Sequence, residues 1–289
     1  MINKLGTILP QRMIVEIQKF EIDQGFIEEI RIRRNRQAYM VVGGKNKILN
    51  IIATDYEMQN ILACISHNSL YAYRDTIVNG YITLENGIRI GVIGRAGVEH
   101  SRVVGVYEIN EFSIRIPHNI IVNCDEIKDL AYKNSILIYS PPGEGKTTLL
   151  RSLILKLSCG KNAKRVGVID TRAELLFGLE RKDLLVSMLV GYPRKIGIEI
   201  AVRSMNSQIL VCDEIGDDND AGAIIDAQGA GVPIIATCHG SSLKDILSHK
   251  GINNLHRAHI FDYYVGIRRA ENLCFNYSIS DWEEANAFI

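Results

Sequence analysis

Residues 140–148 read Ser-Pro-Pro-Gly-Glu-Gly-Lys-Thr-Thr, after the apolar run Ile136-Leu-Ile-Tyr139 and before Leu149-Leu150-Arg-Ser-Leu153-Ile154, whose apolar residues have helical spacing. No other stretch restricts the fold as strongly. A strand, a glycine loop and a helix in that order wrap backbone amides around a triphosphate. In this Walker A arrangement Pro142, Gly143, Glu144, Gly145, Lys146, Thr147 and Thr148 form the nucleotide-binding loop. Lys146 is expected to reach the β and γ phosphates, and the Thr147 hydroxyl to ligate Mg²⁺. Gly143 and Gly145 supply the freedom a tight turn needs. The pattern ordinarily begins with glycine, and Ser140 stands in that place. A chance glycine-rich turn is the alternative, but it does not account for the flanking strand and helix. ATP with Mg²⁺ is the expected ligand.

A second element follows at Ile209-Leu-Val-Cys-Asp213-Glu214, an apolar strand ending in two carboxylates. Asp213 is expected to hold the Mg²⁺ shell and Glu214 to polarise the attacking water, because phosphoryl transfer depends on positioning and charge stabilisation. The alternative is two acids that solvate a strand end. Further polar clusters sit where apolar runs stop, the usual place for ligands in parallel sheets. Asp170-Thr-Arg-Ala-Glu174 follows Ile169, and His239-Gly-Ser-Ser follows Ala236-Thr-Cys. His239 reads either as a γ-phosphate sensor or as a loop imidazole before a Ser-capped helix. Asp170 and Glu174 stand similarly, and Arg203 reads as a helix-end charge, with a phosphate ligand as the alternative.

Short apolar runs at 136–139, 166–169, 209–212 and 233–236, separated by helical stretches, belong to a mostly parallel sheet buried on both faces. The strand at 166–169, falling between the two motifs in sequence, implies an additional strand between them in the sheet, as in the RecA-like class. The expected fold is therefore α/β, a RecA-like P-loop ATPase core over 123–289. Residues 1–122 read as a smaller α+β domain. There Thr54-Asp-Tyr-Glu57 is a capping box opening a helix to about His67, and a second helix stops at Gly80. Tyr81-Ile-Thr-Leu, Glu85-Asn-Gly87 and Ile88–Ile93 read as strand, turn, strand. Glu29–Arg33, Ala38–Val42 and Phe112–Ile116 suggest further strands, and 117–129 the connection between modules.

Lys and Arg number 33 and Asp and Glu 33; residues 1–130 hold 15 of each, leaving 18 of each beyond. Neither module has the basic excess of a large nucleic-acid-binding face. Arg31-Ile-Arg33-Arg34-Asn-Arg36 is the local exception, read as a solvated strand face with a binding edge as the alternative. Hydrophobic residues make up 47% of the chain, but no apolar run reaches the roughly 18 residues of a membrane span. Met-Ile-Asn-Lys-Leu-Gly lacks the order of a signal peptide, so a cytoplasmic location is expected. Six dispersed cysteines without a C-x-x-C pair read as small buried hydrophobes, and no zinc site is expected.

With these residues in view, the sequence resembles the stage III sporulation protein AA family of spore-forming bacteria, itself similar to the hexameric ATPases of type II and type IV secretion and pilus machines. The matching segments include Ser69-Leu-Tyr-Ala, Asn79-Gly-Tyr-Ile-Thr, Gly87–Ala96, Phe112–Ile116, Arg203-Ser-Met, Asp213-Glu-Ile-Gly216 and Ala236–Leu243, covering about residues 25 to 275. The resemblance implies that Asp170, Glu174 and His239 line the nucleotide site. It also implies that Arg89 and Arg115, with Arg95 a weaker third, face a neighbouring subunit's γ-phosphate. Hydrolysis would then depend on self-association into a ring, six subunits in number as in those ATPases. The implied partners are membrane-embedded sporulation channel proteins, with recruitment to the cytoplasmic face of the membrane engulfing the forespore, and no nucleic acid is expected. Ser140 and Thr171, where a second acid is expected after Asp170, depart from the pattern. They leave open a nucleotide-gated scaffold with little turnover. A RecA-like nucleic-acid motor is the other alternative.

Overall fold

The computed structural model describes residues 5–20, 27–84, 87–118, 120–171, 174, 175, 179, 182–216, 218–228, 231–270 and 274–288. The chain forms two compact units, Met1–His118 and Asn119–Ile289.

In the first unit, α1 (Gln11–Gln18), α2 (Asp55–Ile65) and α3 (Arg74–Val78) accompany β1 (Ile27–Arg33), β2 (Gln37–Val42), β3 (Lys45–Ile52), β4 (Tyr81–Thr83), β5 (Arg89–Glu99) and β6 (Arg102–Arg115). The sheet runs β3-β2-β1-β6-β5-β4. Every neighbouring pair is antiparallel. Side chains alternate across such strands. Ile30, Ile32, Met40, Ile90, Val92, Phe112 and Ile114 accordingly bury with Met13, Ile17, Met58, Ile61 and Ile65 of the helices in one core. The capping box at Thr54 forms in full, with the hydroxyl accepting from the Glu57 amide and the Glu57 carboxylate from the Thr54 amide. Glu85 and Asn86 of the expected hairpin turn lie outside the described residues. Of the arginine run, Arg31 and Arg33 lie on β1 and Arg34 just beyond its end, each held by its own neighbours. Arg31 donates to Glu29 at 2.8 Å and to Glu111 at 2.7 Å, and Arg34 to Asp55 at 2.5 Å. Arg33 donates to the Gln37 carbonyl and lies over the Tyr39 ring.

The second unit contains α4 (Asp125–Ala131), β7 (Ile136–Ser140), α5 (Lys146–Ser158), β8 (Val166–Asp170), β9 (Val186–Val190), α6 (Arg194–Ser204), β10 (Ile209–Cys212) and α7 (Asp218–Gln228). It continues with β11 (Ile234–His239), α8 (Leu243–Ser248), α9 (Lys250–Arg257), β12 (Tyr263–Arg269), β13 (Phe275–Asp281) and α10 (Trp282–Asn286). The sheet order is β13-β12-β7-β11-β10-β8-β9, parallel throughout except for β13. Alternate residues feed two cores. Ile136, Ile138, Val166, Val168, Val211 and Ile235 bury with α4 and α5, whereas Leu137, Leu210, Cys212, Ala236 and Cys238 bury with α6 to α9.

The strand between the two motif-bearing strands is β11, not 166–169 as sequence order suggests. The strand at 166–169 is part of β8, which lies on the far side of β10. The chain crosses outward from β7 to β8 and returns through β10, so sequence order and spatial order differ. Strands β3, β9, β12 and β13 and the outer half of the β5–β6 hairpin are additions to the sequence expectation. Cys124, Cys212 and Cys238 are buried as expected, whereas Cys64 and Cys274 are exposed.

Candidate functional site

Strand β7 delivers Ser140 to the loop with all five of its residues buried, and the chain then turns through two glycines with positive φ, +82° at Gly143 and +100° at Gly145. Gly145 is also the N-cap of α5. A Cβ there would fall 2.7 Å from the Phe275 ring, so backbone angle and close packing both require glycine. Lys146, the first residue of the helix, is only 6% exposed. Its ammonium donates to the Ser140 carbonyl at 2.9 Å and to His239 Nδ1 at 3.0 Å, with the Ser140 hydroxyl and the Pro141 carbonyl each at 3.3 Å. Parallel pairing explains the meeting, since Ser140 is the register partner of His239 across β7 and β11. Burial lowers the Lys146 pKa against the opposing pull of Glu214 and Asp213.

Strand β10 ends at Asp213 and Glu214. Asp213 is 6% exposed, and its Oδ1 accepts from the Thr237 hydroxyl at 2.5 Å. Burial raises its pKa, which the Thr237 hydrogen bond opposes and the Glu214 and Asp170 charges reinforce. Glu214 leaves the strand with φ +49°, its amide donating to Thr237 Oγ1 at 2.8 Å and its carboxylate 2.9 Å from His239 Nε2. His239 thus lies between Lys146 and Glu214. On the other side, Arg194 at the start of α6 donates to the Asp213 carbonyl at 2.8 Å and pairs with Asp220 of α7.

Asp170, at the end of β8, is 1% exposed and accepts from the amides of Glu174 at 3.0 Å and Leu175 at 2.8 Å. The Glu174 carbonyl in turn accepts from the buried Arg151 of α5 at 2.8 Å. Burial lowers the Arg151 pKa, and Asp170, Asp213 and Glu174 pull it back up. Asp170 therefore holds the backbone at Glu174 and Leu175 and remains within electrostatic reach of Asp213. Thr171 is half-buried, and Pro142 is exposed. Glu144 accepts the Arg269 amide at 2.7 Å, and the Thr148 carbonyl accepts the Ser152 hydroxyl at 2.9 Å. Thr147 is half-buried, and Arg203 is exposed in the last turn of α6. An open cleft of about 130 Å³ borders the loop, lined by Ile120, Val122, Gly145, Thr148, Arg269 and Phe275.

Arg89 and Arg115 belong to the first unit, where they are cross-strand partners on β5 and β6; the Arg89 guanidinium stacks 3.8 Å from the Tyr81 ring centroid. Sequence reasoning missed Thr237, Arg194 and Arg151. Thr237 carried a signal, a hydroxyl inside an apolar strand two positions before His239. Arg151 carried another, a charge between Leu150 and Leu153 on a helix that must bury.

A glycine loop before a helix, two acids at the end of β10 and β11 between the two motif strands define a RecA-like P-loop core. Two solved structures share it, each at a TM-score of 0.65. The Legionella pneumophila ATPase DotB is 16% identical, with 96% of this chain and 83% of that one covered. The pilus retraction motor PilT, solved with bound ADP, is 15% identical, with 93% and 82% covered. The family model described as sporulation stage III, protein AA, matches residues 2–278, and the chain belongs to that family. Stage III sporulation protein AA of Bacillus subtilis (strain 168) is 31% identical over 281 residues, covering 93% of this chain and 92% of the relative.

Proposed function

We propose that the protein binds and hydrolyses Mg²⁺-ATP as a secretion-type ATPase of sporulation. It works as a ring, six subunits by analogy, that powers assembly or operation of a channel between mother cell and forespore. The observation that carries this reading is the convergence of Lys146, His239 and Glu214, from three different elements, at one end of the sheet. The residues fit the nucleotide: two positive-φ glycines open the loop, and a buried acid, Asp213, lies beside a conformationally special second acid.

Amides of Gly143 to Thr148 receive the phosphates, and Lys146 transfers from the Ser140 carbonyl and His239 to the β and γ oxygens. Thr147 and Asp213 would hold Mg²⁺, whose bound charge would offset that developing on the phosphates. Glu214 orients water and accepts its proton, and His239 contacts the γ-phosphate. Asp170 and Glu174 support this acid end of the site. The apolar wall of Ile120, Val122 and Phe275 suits the base. Arg89 and Arg115 act in trans on a neighbour's γ-phosphate, making turnover depend on the ring.

No helix among the described residues is long and apolar enough to cross a membrane. Recruitment to the cytoplasmic face of the membrane around the forespore therefore goes through a membrane-embedded channel partner. The sporulation family membership supports that setting. Turnover measured at high protein concentration, with sedimentation alongside, tests the reading. Mg²⁺-dependent ATP hydrolysis that rises with assembly is expected. ATP binding and assembly without turnover would instead establish the nucleotide-gated scaffold, which Ser140 and Thr171 favour.

A further inference from the structure

Thr237 is fully buried in β11, a strand otherwise composed of Ile234, Ile235, Ala236 and Cys238 before His239. Valine has the same branched shape and suits a strand as well, so the hydroxyl needs its own account. It makes two directed bonds, donating to Asp213 Oδ1 at 2.5 Å and accepting the Glu214 amide at 2.8 Å. The Thr237 carbonyl accepts the next amide, Ile215, at 2.8 Å. One residue thus grips three consecutive positions at the end of β10. The middle one, Glu214, has φ +49°, a conformation unfavourable for a residue with a Cβ and maintained only where neighbours fix it. Register makes the grip possible: Cys212 pairs with Ala236, which sets Thr237 beside Asp213. Side-chain alternation then puts Thr237 and His239 on the same face of β11.

We propose that Thr237 is a positioning residue for the ATPase site, an inference that rests on the function proposed above. Its hydroxyl fixes the Asp213 carboxylate for the metal ion and holds the turn that directs Glu214 to His239. Removing the hydroxyl while keeping the shape uncouples the two acids from the phosphate loop, which Thr237 does not touch.

The test compares full-length wild type, Thr237→Val and Thr237→Ser, the last restoring the hydroxyl. Thr237→Val is expected to raise the Mg²⁺ concentration for half-maximal turnover by about 10- to 100-fold, the usual effect of losing a group that orients a metal ligand. ATP affinity measured without Mg²⁺ should stay within about threefold of wild type, because Lys146 and the loop glycines are untouched. Thr237→Ser is expected to return the Mg²⁺ dependence to near the wild-type value. Hydrogen exchange at the Glu214 amide, slow in wild type and Thr237→Ser and fast in Thr237→Val, reads the same grip without nucleotide. Should the valine variant not fold, Thr237→Ala replaces it with the same readouts. Unchanged Mg²⁺ dependence in the valine variant, or a serine variant as impaired as the valine one, overturns the inference while leaving the ATPase reading intact. A wild-type chain that binds no nucleotide overturns both.

Discussion

The Lys146 ammonium and the Glu214 carboxylate hold opposite sides of the same imidazole, at 3.0 Å from His239 Nδ1 and 2.9 Å from Nε2. An ammonium only donates, so Nδ1 accepts and the ring hydrogen sits on Nε2, where it is given to Glu214. His239 is therefore neutral in this arrangement. The lysine proposed to hold phosphate is already engaged, and the acid proposed to orient water is tied to it through one ring.

Replacing His239 with Ala removes one acceptor that phosphate must displace. ADP affinity, measured by calorimetry, is expected to hold steady or tighten by up to about tenfold, the worth of one hydrogen bond to a charged group. ATP turnover should fall at the same time. ADP binding weakened tenfold or more would show that the ring contributes to diphosphate binding instead of competing for the lysine.

Lys146→Ala removes the charge proposed to reach the phosphates. At about 1.5–3 kcal/mol for each charged hydrogen bond, the loss of two weakens ATP binding by at least about 100-fold. Binding within tenfold of wild type would remove Lys146 from its assigned place.

Glu214→Gln keeps the size and the partner atom of the side chain but not its basicity. ATP binding should persist while turnover falls by about 10²- to 10⁴-fold. Turnover at the wild-type rate would show that another group orients the water.

Gly143→Ala and Gly145→Ala separate conformational strain from crowding. At Gly143 a Cβ meets nothing within 4 Å, so only the positive φ opposes it, at about 1–2 kcal/mol. At Gly145 the Phe275 ring adds a clash, and the larger loss of stability in urea denaturation is expected there. Equal losses would mean that the ring yields freely.

Hydrogen bonding by Arg12, with help from the Thr54 amide and hydroxyl, lowers the Glu57 pKa from 4.5 to about 2, against the opposing effect of burial. A carboxylate depressed on folding stabilises fully above its ordinary value and loses that contribution as pH falls through the folded one. The first unit is thus expected to lose stability between about pH 4.5 and 2. Thermal melts of Arg12→Ala should show a shallower decline over that window than wild type; parallel declines would assign the pH dependence elsewhere.

The strands β7, β8, β10 and β11 were legible because each opens with a short, mostly apolar run that is buried on both faces. Strand β13, Phe-Asn-Tyr-Ser-Ile-Ser-Asp, lies at the sheet edge and is half-exposed, so its short alternation lacked that contrast. The loop and the two acids were legible because their chemistry sits in contiguous residues. Thr237 and Arg194 were not, because their contacts come from cross-strand register and from a helix start brought against β10. Ser140 looked only like a departure from a pattern, yet both its carbonyl and its hydroxyl accept from Lys146.

The phosphate loop is also tied to residues some 125 positions later in the chain. Glu144 accepts the Arg269 amide, and Phe275 lies against Gly145, so the ends of β12 and β13 that face the loop close one of its sides. A shift of the loop on nucleotide binding is thus expected to be felt first by β12 and by β13 at one edge of the sheet. A spectroscopic label on the exposed face of β13 is expected to change its signal when nucleotide is added, at a distance from every residue proposed to contact phosphate.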